Sequence, residues 1–371
     1  MNKNLVSLFL IGFAFYSPVT MACDDLLKNF KRDCAIQDRY VKVREIYRKH
    51  KLDVTDVAEY KALRFIDRYT WDSNALDNKK APLFIYQPAP ATWLVWSEGM
   101  SQLFSGDSGK GVLEKKLAEK KGFDKKFISH INKILLTDGK LNTKDPNTDR
   151  YKRPGEYRSW FDDKVGFCSI FEYATNQKIL SRSQDSVHQY QLAWEKQAGL
   201  SLVEAISQAV GRFSKTANMV VPLKLTNDRC SEGRGNFVAY SSSMDVKEHI
   251  EWLQAFVRYN FQRYAAATPV ISPIELSAVV QKWFVTIHPF ADGNGRTSRA
   301  IQDLILQNFD LPFAPAGDLQ VDMQEPVDAY IGETYDSIES MLNFLERCST
   351  KIEQGKELDF QCQSVSYLNK Q

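Results

Sequence analysis

The chain has no excess of one charge and no long basic run: 48 Lys and Arg stand against 46 Asp and Glu in 371 residues. A nucleic-acid partner therefore has no electrostatic footprint here. The six cysteines, Cys23, Cys34, Cys168, Cys230, Cys348 and Cys362, include no Cys-x-x-Cys pair, which removes the usual zinc spacing. No internal period of about 20 to 50 residues recurs, so a repeat array is not supported. Gly106-Asp107-Ser108-Gly109-Lys110-Gly111 lacks the spacing of a phosphate-binding P-loop and is set aside. The apolar run from Leu5 to Tyr16 is shorter than the roughly 20 residues a membrane-spanning helix needs.

What is present at the start is one lysine, that apolar run, and then Ser17-Pro18-Val19-Thr20-Met21-Ala22. This pattern predicts a secretory signal peptide over 1–22 and an exported, secreted or periplasmic protein. Cleavage after Ala22 places Cys23 first, as in a lipoprotein, although Thr20 stands where such signals usually carry Leu. A membrane association is expected only if Cys23 is lipidated or the signal segment is retained. In an exported chain an even set of cysteines predicts disulfides, with Cys348 and Cys362 the favoured local pair.

The length allows two or three domains. From Asp24 to Ala81 glycine and proline are missing and charged residues alternate with Leu, Val, Ile and Tyr, which predicts an N-terminal helical region over 23–89. Pro82, Pro88 and Pro90 mark its end. Phe127, Ile128, Ile131, Ile134 and Leu135 recur at helical spacing, with His130 expected to pack in that helix. Further helices are predicted over 244–264, with Ile250, Leu253, Val257 and Phe261 inward, and over 326–345. Met219 to Thr226 and Asn236 to Tyr240 read as two strands joined by turn residues, with Pro222 restricting the first to a sheet edge.

The chemistry is concentrated in His288-Pro289-Phe290-Ala291-Asp292-Gly293-Asn294-Gly295-Arg296-Thr297-Ser298-Arg299. Upstream, Ser272-Pro273-Ile274-Glu275 predicts a helix start with a capping box, and Leu276, Val279, Val280, Trp283, Phe284 and Ile287 give it one buried face. Pro289 should end that helix, because the residue before a proline is biased away from helical backbone. Ala300, Ile301, Leu304, Ile305 and Phe309 then predict a second helix. The glycines around Asn294 let backbone N–H groups converge at its start, where anions are favoured. Arg296 and Arg299 share a face and suit two phosphates. Asp292 is a hard oxygen ligand fit for Mg²⁺. His288 is the one group there able to accept a proton near neutral pH. Together these residues describe phosphoryl or nucleotidyl transfer.

This loop resembles the signature of the Fic family, His-Pro-Phe-x-(Asp/Glu)-Gly-Asn-Gly-Arg-x-x-Arg, with every specified position filled. The resemblance implies a mainly α fold with a β-hairpin flap, a catalytic domain over 90–347 and a C-terminal tail over 348–371. It implies ATP as co-substrate, Mg²⁺, and a target protein that presents a hydroxyl side chain near the flap over about 219–240. By that resemblance His288 is the base, Asp292 holds the metal, and Gly293, Asn294 and Gly295 form the anion-binding turn. Arg296 and Arg299 neutralise the outer phosphates, and Phe290 packs inward. Pro154-Gly155-Glu156-Tyr157-Arg158 is similar to a short segment after the first helix of many Fic domains.

Many members also carry an inhibitory helix with the pattern (Ser/Thr)-x-x-x-Glu-(Gly/Asn), and Glu98-Gly99 stands in the right place for it. Leu94 occupies the Ser/Thr position, so Glu98 is a candidate inhibitory residue beside the simpler reading of a surface glutamate. Ser349-x-x-x-Glu353 is a second, weaker match. The resemblance implies a protein adenylyltransferase that moves AMP from ATP to a Ser, Thr or Tyr hydroxyl. The alternatives are AMP removal, transfer of another phosphate-containing group on the same loop, and a noncatalytic nucleotide-binding module. Scarcity of ATP outside the cytoplasm implies, with export, an effector delivered to a host or an enzyme of an ATP-supplied lumen.

Overall fold

The computed structural model describes residues 28–52, 54, 99, 103, 123–136, 154–158, 166–169, 171–211, 215–229, 236–315, 323–358 and 362. The predicted signal segment, Cys23, Cys230, Glu98 and the rejected P-loop match lie outside them. Among the described residues no helix is long and apolar enough to cross a membrane.

The chain runs α1 (Lys28–Lys49), α2 (Lys125–Leu136), β1 (Gly166–Cys168), α3 (Tyr173–Ala198), α4 (Leu202–Val210), β2 (Lys224–Arg229), β3 (Asn236–Ala239), α5 (Ser243–Ala265), α6 (Pro273–Ile287), α7 (Asn294–Asn308) and α8 (Val327–Glu353). It is mainly helical, as the resemblance implied. The axis of the packing is α6. Ser272 caps it by accepting the Glu275 N–H, and Pro273 fits the first turn, where its missing donor costs nothing. Instead of burying one face, α6 is covered nearly all round: Ser277, Gln281 and Lys282 are buried with Leu276, Val280 and Phe284. Helices α1, α5, α7 and α8 all pack on it.

Helix α1 shares that single core, contributing Phe30, Ile36, Tyr40, Val43 and Tyr47. It also completes the start of α6, because Asp33 Oδ2 accepts the Ile274 N–H at 2.9 Å. Along α8, Arg32 meets Glu339 at 2.8 Å and Asp336 at 3.2 Å, and Arg39 meets Glu346 and Asn343, both at 2.6 Å. The partners advance in step on both helices, so α1 and α8 run parallel. Helix α8 continues to Glu353, beyond the predicted end, so the 348–371 segment begins as helix. Cys348 within it is buried and bonded to Cys362, the expected pair. Cys34 and Cys168 are disulfide-bonded as well.

The three strands form one antiparallel sheet in the order β1-β3-β2. The expected hairpin is present, with two corrections. Its first strand starts at Lys224, leaving Pro222 ahead of it, and continues through Asn227–Arg229, where a turn was expected; a bulge between Leu225 and Arg229 absorbs these polar residues. Strand β1 adds a third member that three residues gave no pattern to reveal. Helix α2 buries Phe127, Ile128, Ile131 and Leu135 as expected, but His130 is exposed on its outer side and does not pack. Glu353 is exposed at the last turn of α8.

Candidate active site

Helix α6 ends at Ile287, and His288 takes left-handed backbone with φ 50° and ψ 58° as its cap. Pro289 disfavours continued helix at this position, and the left-handed turn swings the following residues back across the helix end. Phe290 is buried by the turn, stacked on Tyr157 at 4.8 Å and close to Phe284. Asn294 then closes the loop on itself: its Oδ1 accepts the Phe290 N–H and its amide donates to the Phe290 carbonyl, both at 2.8 Å. Its side chain is thereby committed to loop shape, and only its backbone N–H is left to face a ligand.

Gly293 caps α7 with φ 75°, a conformation that suits glycine. Space is short there too: a Cβ would stand 2.8 Å from a methyl of Leu136 in α2, which would have to shift. Thr297 donates the first intrahelical bond, to Gly293 at 2.9 Å, so the N–H groups of Asn294, Gly295 and Arg296 have no partner within the helix. These three donors lie at the positive end of the helix dipole. Beside them Asp292 is half exposed; its Oδ1 accepts the Gly293 N–H at 2.6 Å and lies 3.6 Å from the Arg296 guanidinium. Arg296 is partly exposed, and Arg299, one turn further, is buried. The loop thus carries His288, Asp292, the glycine turn and both arginines on the end of α6 and the first turns of α7, with Asp292 the exposed member and Arg299 buried.

His288 is held on several sides. Its Nδ1 lies 3.3 Å from the Val285 carbonyl, which can only accept, so Nδ1 carries the proton and Nε2 has the lone pair. Burial is the larger cause that pushes its pKa down to about 3, and the Arg158 charge adds to it. The imidazole is therefore neutral at pH 7. Arg158 is itself buried and pins the turn, donating to the carbonyls of His288 at 2.6 Å, Ser241 at 2.9 Å and Ile287 at 3.2 Å. Tyr240 stacks on the imidazole with ring centres 3.7 Å apart and 10° between planes.

Sequence reasoning did not single out three residues that shape this site. Arg158 lay in a noticed motif whose purpose only the fold reveals. Asn132, fully buried in α2, accepts the Gly155 N–H at 2.7 Å and donates to Asp292 O at 3.1 Å and Thr297 Oγ1 at 3.0 Å. A polar residue beside Ile131 on an apolar helix face was the available signal. Tyr240, the residue after β3, carried none.

Residues 186–306 match the family model described as the Fic/DOC family. A 67-residue stretch is 34% identical to protein adenylyltransferase fic-1 of Caenorhabditis elegans, over 18% of this chain and 11% of that protein. A 54-residue stretch is 41% identical to a Fido domain-containing protein of Dictyostelium discoideum, over 14% of this chain and 38% of that one. The chain thus spans only a minor part of either relative. A Fic domain containing signaling protein from Bacteroides thetaiotaomicron superposes with a TM-score of 0.43 at 12% identity, covering 88% of this chain and 98% of the other, a likeness too loose to carry an argument. The matched segment runs from within α3 to within α7 and holds strands β2 and β3, α6 and the entire loop, so this part of the chain is similar to the Fic/DOC family.

Proposed function

We propose that this protein is an adenylyltransferase that moves AMP from ATP to a Ser, Thr or Tyr hydroxyl of a target protein. The observation that carries the reading is a neutral His288, with its lone pair on Nε2, beside the open N-terminus of α7. An anion-binding helix end without a base serves binding alone; a base at its edge serves transfer. The name of the fic-1 relative supports the same class of reaction.

In this reading the target hydroxyl gives its proton to His288 Nε2 as its oxygen attacks the α-phosphorus of ATP. A new P–O ester bond forms, the bond from the α-phosphorus to the bridging oxygen breaks, and pyrophosphate leaves. The N–H groups of Asn294, Gly295 and Arg296 and the guanidinium groups of Arg296 and Arg299 take the phosphate charge. The donor set fits Mg²⁺ brought in by the nucleotide: among the described residues no cluster of three or more acidic, His or Cys groups could cage a metal, yet Asp292 offers a half-exposed carboxylate whose Oδ2 is not engaged. Mg²⁺ held by Asp292 Oδ2 and phosphate oxygens would supply charge neutralisation there.

We also read the protein as exported, on the strength of residues 1–22 and supported by the disulfide-bonded cysteines. Glu98 keeps its place as the candidate inhibitory residue on the sequence pattern alone.

The test is mass spectrometry of the chain lacking residues 1–22 after incubation with ATP and Mg²⁺, beside the His288→Ala variant. Self-modification stands in for an unidentified target. We expect an AMP-sized increment in the wild type and a loss of about 100-fold or more in the variant, the lower end of what general bases contribute. A phosphate-sized increment instead, or an AMP increment that His288→Ala leaves intact, refutes the reading.

A further inference from the structure

Tyr240 does not belong to the main core. It sits in a small separate cluster with Val285 of α6 and Met323, lined by Phe167 of β1 and Leu223. Its ring contacts two others: Phe167 at 5.7 Å, tilted by 48°, and His288 at 3.7 Å, nearly parallel to it. It is only 5% exposed. The residue after it, Ser241, offers its carbonyl to Arg158, which also grips the His288 carbonyl. The end of the flap and the end of α6 are therefore fastened together at two points, one through backbone and one through stacked rings.

We propose that Tyr240 is a positioning residue for the base, fixing the plane of the His288 imidazole and tying it to strand β3 of the flap. The inference rests on the adenylyltransferase reading for its catalytic consequence. The argument is one of degrees of freedom. A histidine side chain has two rotatable bonds, and the single hydrogen bond from Nδ1 to Val285 O restrains the ring in its own plane while leaving rotation about that contact open. A flat ring stacked on one face closes that rotation, because tilting the imidazole would drive it into the phenol. The phenol is itself held in the cluster with Val285, Met323 and Phe167, and is almost fully buried. Stacked aromatic pairs of this kind are favoured beyond the area they bury, so the stack selects one rotamer of the imidazole over another. Nε2 thus faces the reaction from a fixed direction.

Because β3 pairs with both β1 and β2, a displacement of the flap moves Tyr240 and, through it, the imidazole plane. Base orientation and flap position are one variable.

Two variants separate positioning from mere packing. Tyr240→Phe keeps the flat ring; Tyr240→Leu keeps an apolar side chain against Val285 and Met323 but removes the stack. Both are compared with wild type by thermal unfolding, ATP dissociation constant, AMP transfer kinetics and NMR titration of the His288 imidazole. We expect Tyr240→Leu to lose about 100-fold in kcat, the scale of small misplacements at a reacting centre, with ATP affinity within about threefold. We expect its imidazole, reopened to water, to titrate closer to the ordinary histidine value, and Tyr240→Phe to restore both readouts. Equal behaviour of the two variants, or an unchanged imidazole titration in Tyr240→Leu, overturns the inference. Absence of AMP transfer in the wild type itself would refute the adenylyltransferase reading instead, and the titration would still decide the positioning role.

Discussion

Gly293 shows how little latitude a single residue has in this loop. Its φ of 75° is strained for any side chain, and the site of a Cβ is taken by Leu136 on one side and Asn132 on the other. Gly293→Ala should lower stability by about 2 kcal/mol, the scale of one left-handed non-glycine residue. Chemical denaturation of the purified variant measures it, and a change under about 0.5 kcal/mol would contradict the packing described. The residue scale was also where the sequence spoke most clearly. His288, Asp292, Arg296 and Arg299 were legible because each is a chemically distinct side chain at fixed spacing from the next. Arg158 and Asn132 act through carbonyls and amides that every residue possesses, and no side-chain pattern announces which backbone groups will meet them.

Among elements, the junction of α1, α6 and α8 holds a group that responds to pH. Asp33 is buried there, its carboxylate accepting from the Ile274 N–H and from the Tyr335 hydroxyl, and burial raises its pKa from 3.8 to about 7. The folded state therefore holds a proton that the unfolded chain releases above about pH 4. The stability this contributes is fully present below that value and is lost as pH rises through about 7. Asp33→Asn cannot lose a proton, so its stability relative to wild type should improve from pH 5 to about pH 7 and level off by pH 8. The slope cannot exceed about 1.4 kcal/mol per pH unit for one proton. Denaturation midpoints of both proteins across that range test it; parallel curves would mean that Asp33 is ionised throughout.

The long elements were readable because proline, glycine and the apolar period bound them: α6 begins at the capped Ser272-Pro273 pair and α5 keeps its inward Ile250, Leu253 and Val257. Strand β1 was not, since its three residues are too few to show a period, and the bulge in β2 hides under residues that usually make turns.

At the scale of the whole molecule, Cys348–Cys362 fastens the segment beyond α8 to the core across a sequence separation of 14. Closing a loop of this length is worth about 3 kcal/mol in the unfolded-chain account. Replacing both cysteines by alanine should cost about that much, and a loss below 1 kcal/mol would show that the segment is held by other contacts. The even cysteine count made this pair legible, whereas the entry of α1 into the same core as α6 was not, because charge-rich helical sequence looks alike whether it stands apart or docks.

The ladder between α1 and α8 joins residues 307 positions apart, Arg32 to Glu339 and Arg39 to Glu346. The first described helix packs on both α6 and α8, so part of its cover comes from the last described helix. While the chain emerges, α1 has its contacts with α6 before those with α8, and among the described elements its packing is complete only once α8 has been made. Contacts of such long range slow folding, and a chain slow to close is one that stays threadable for as long as it is being made.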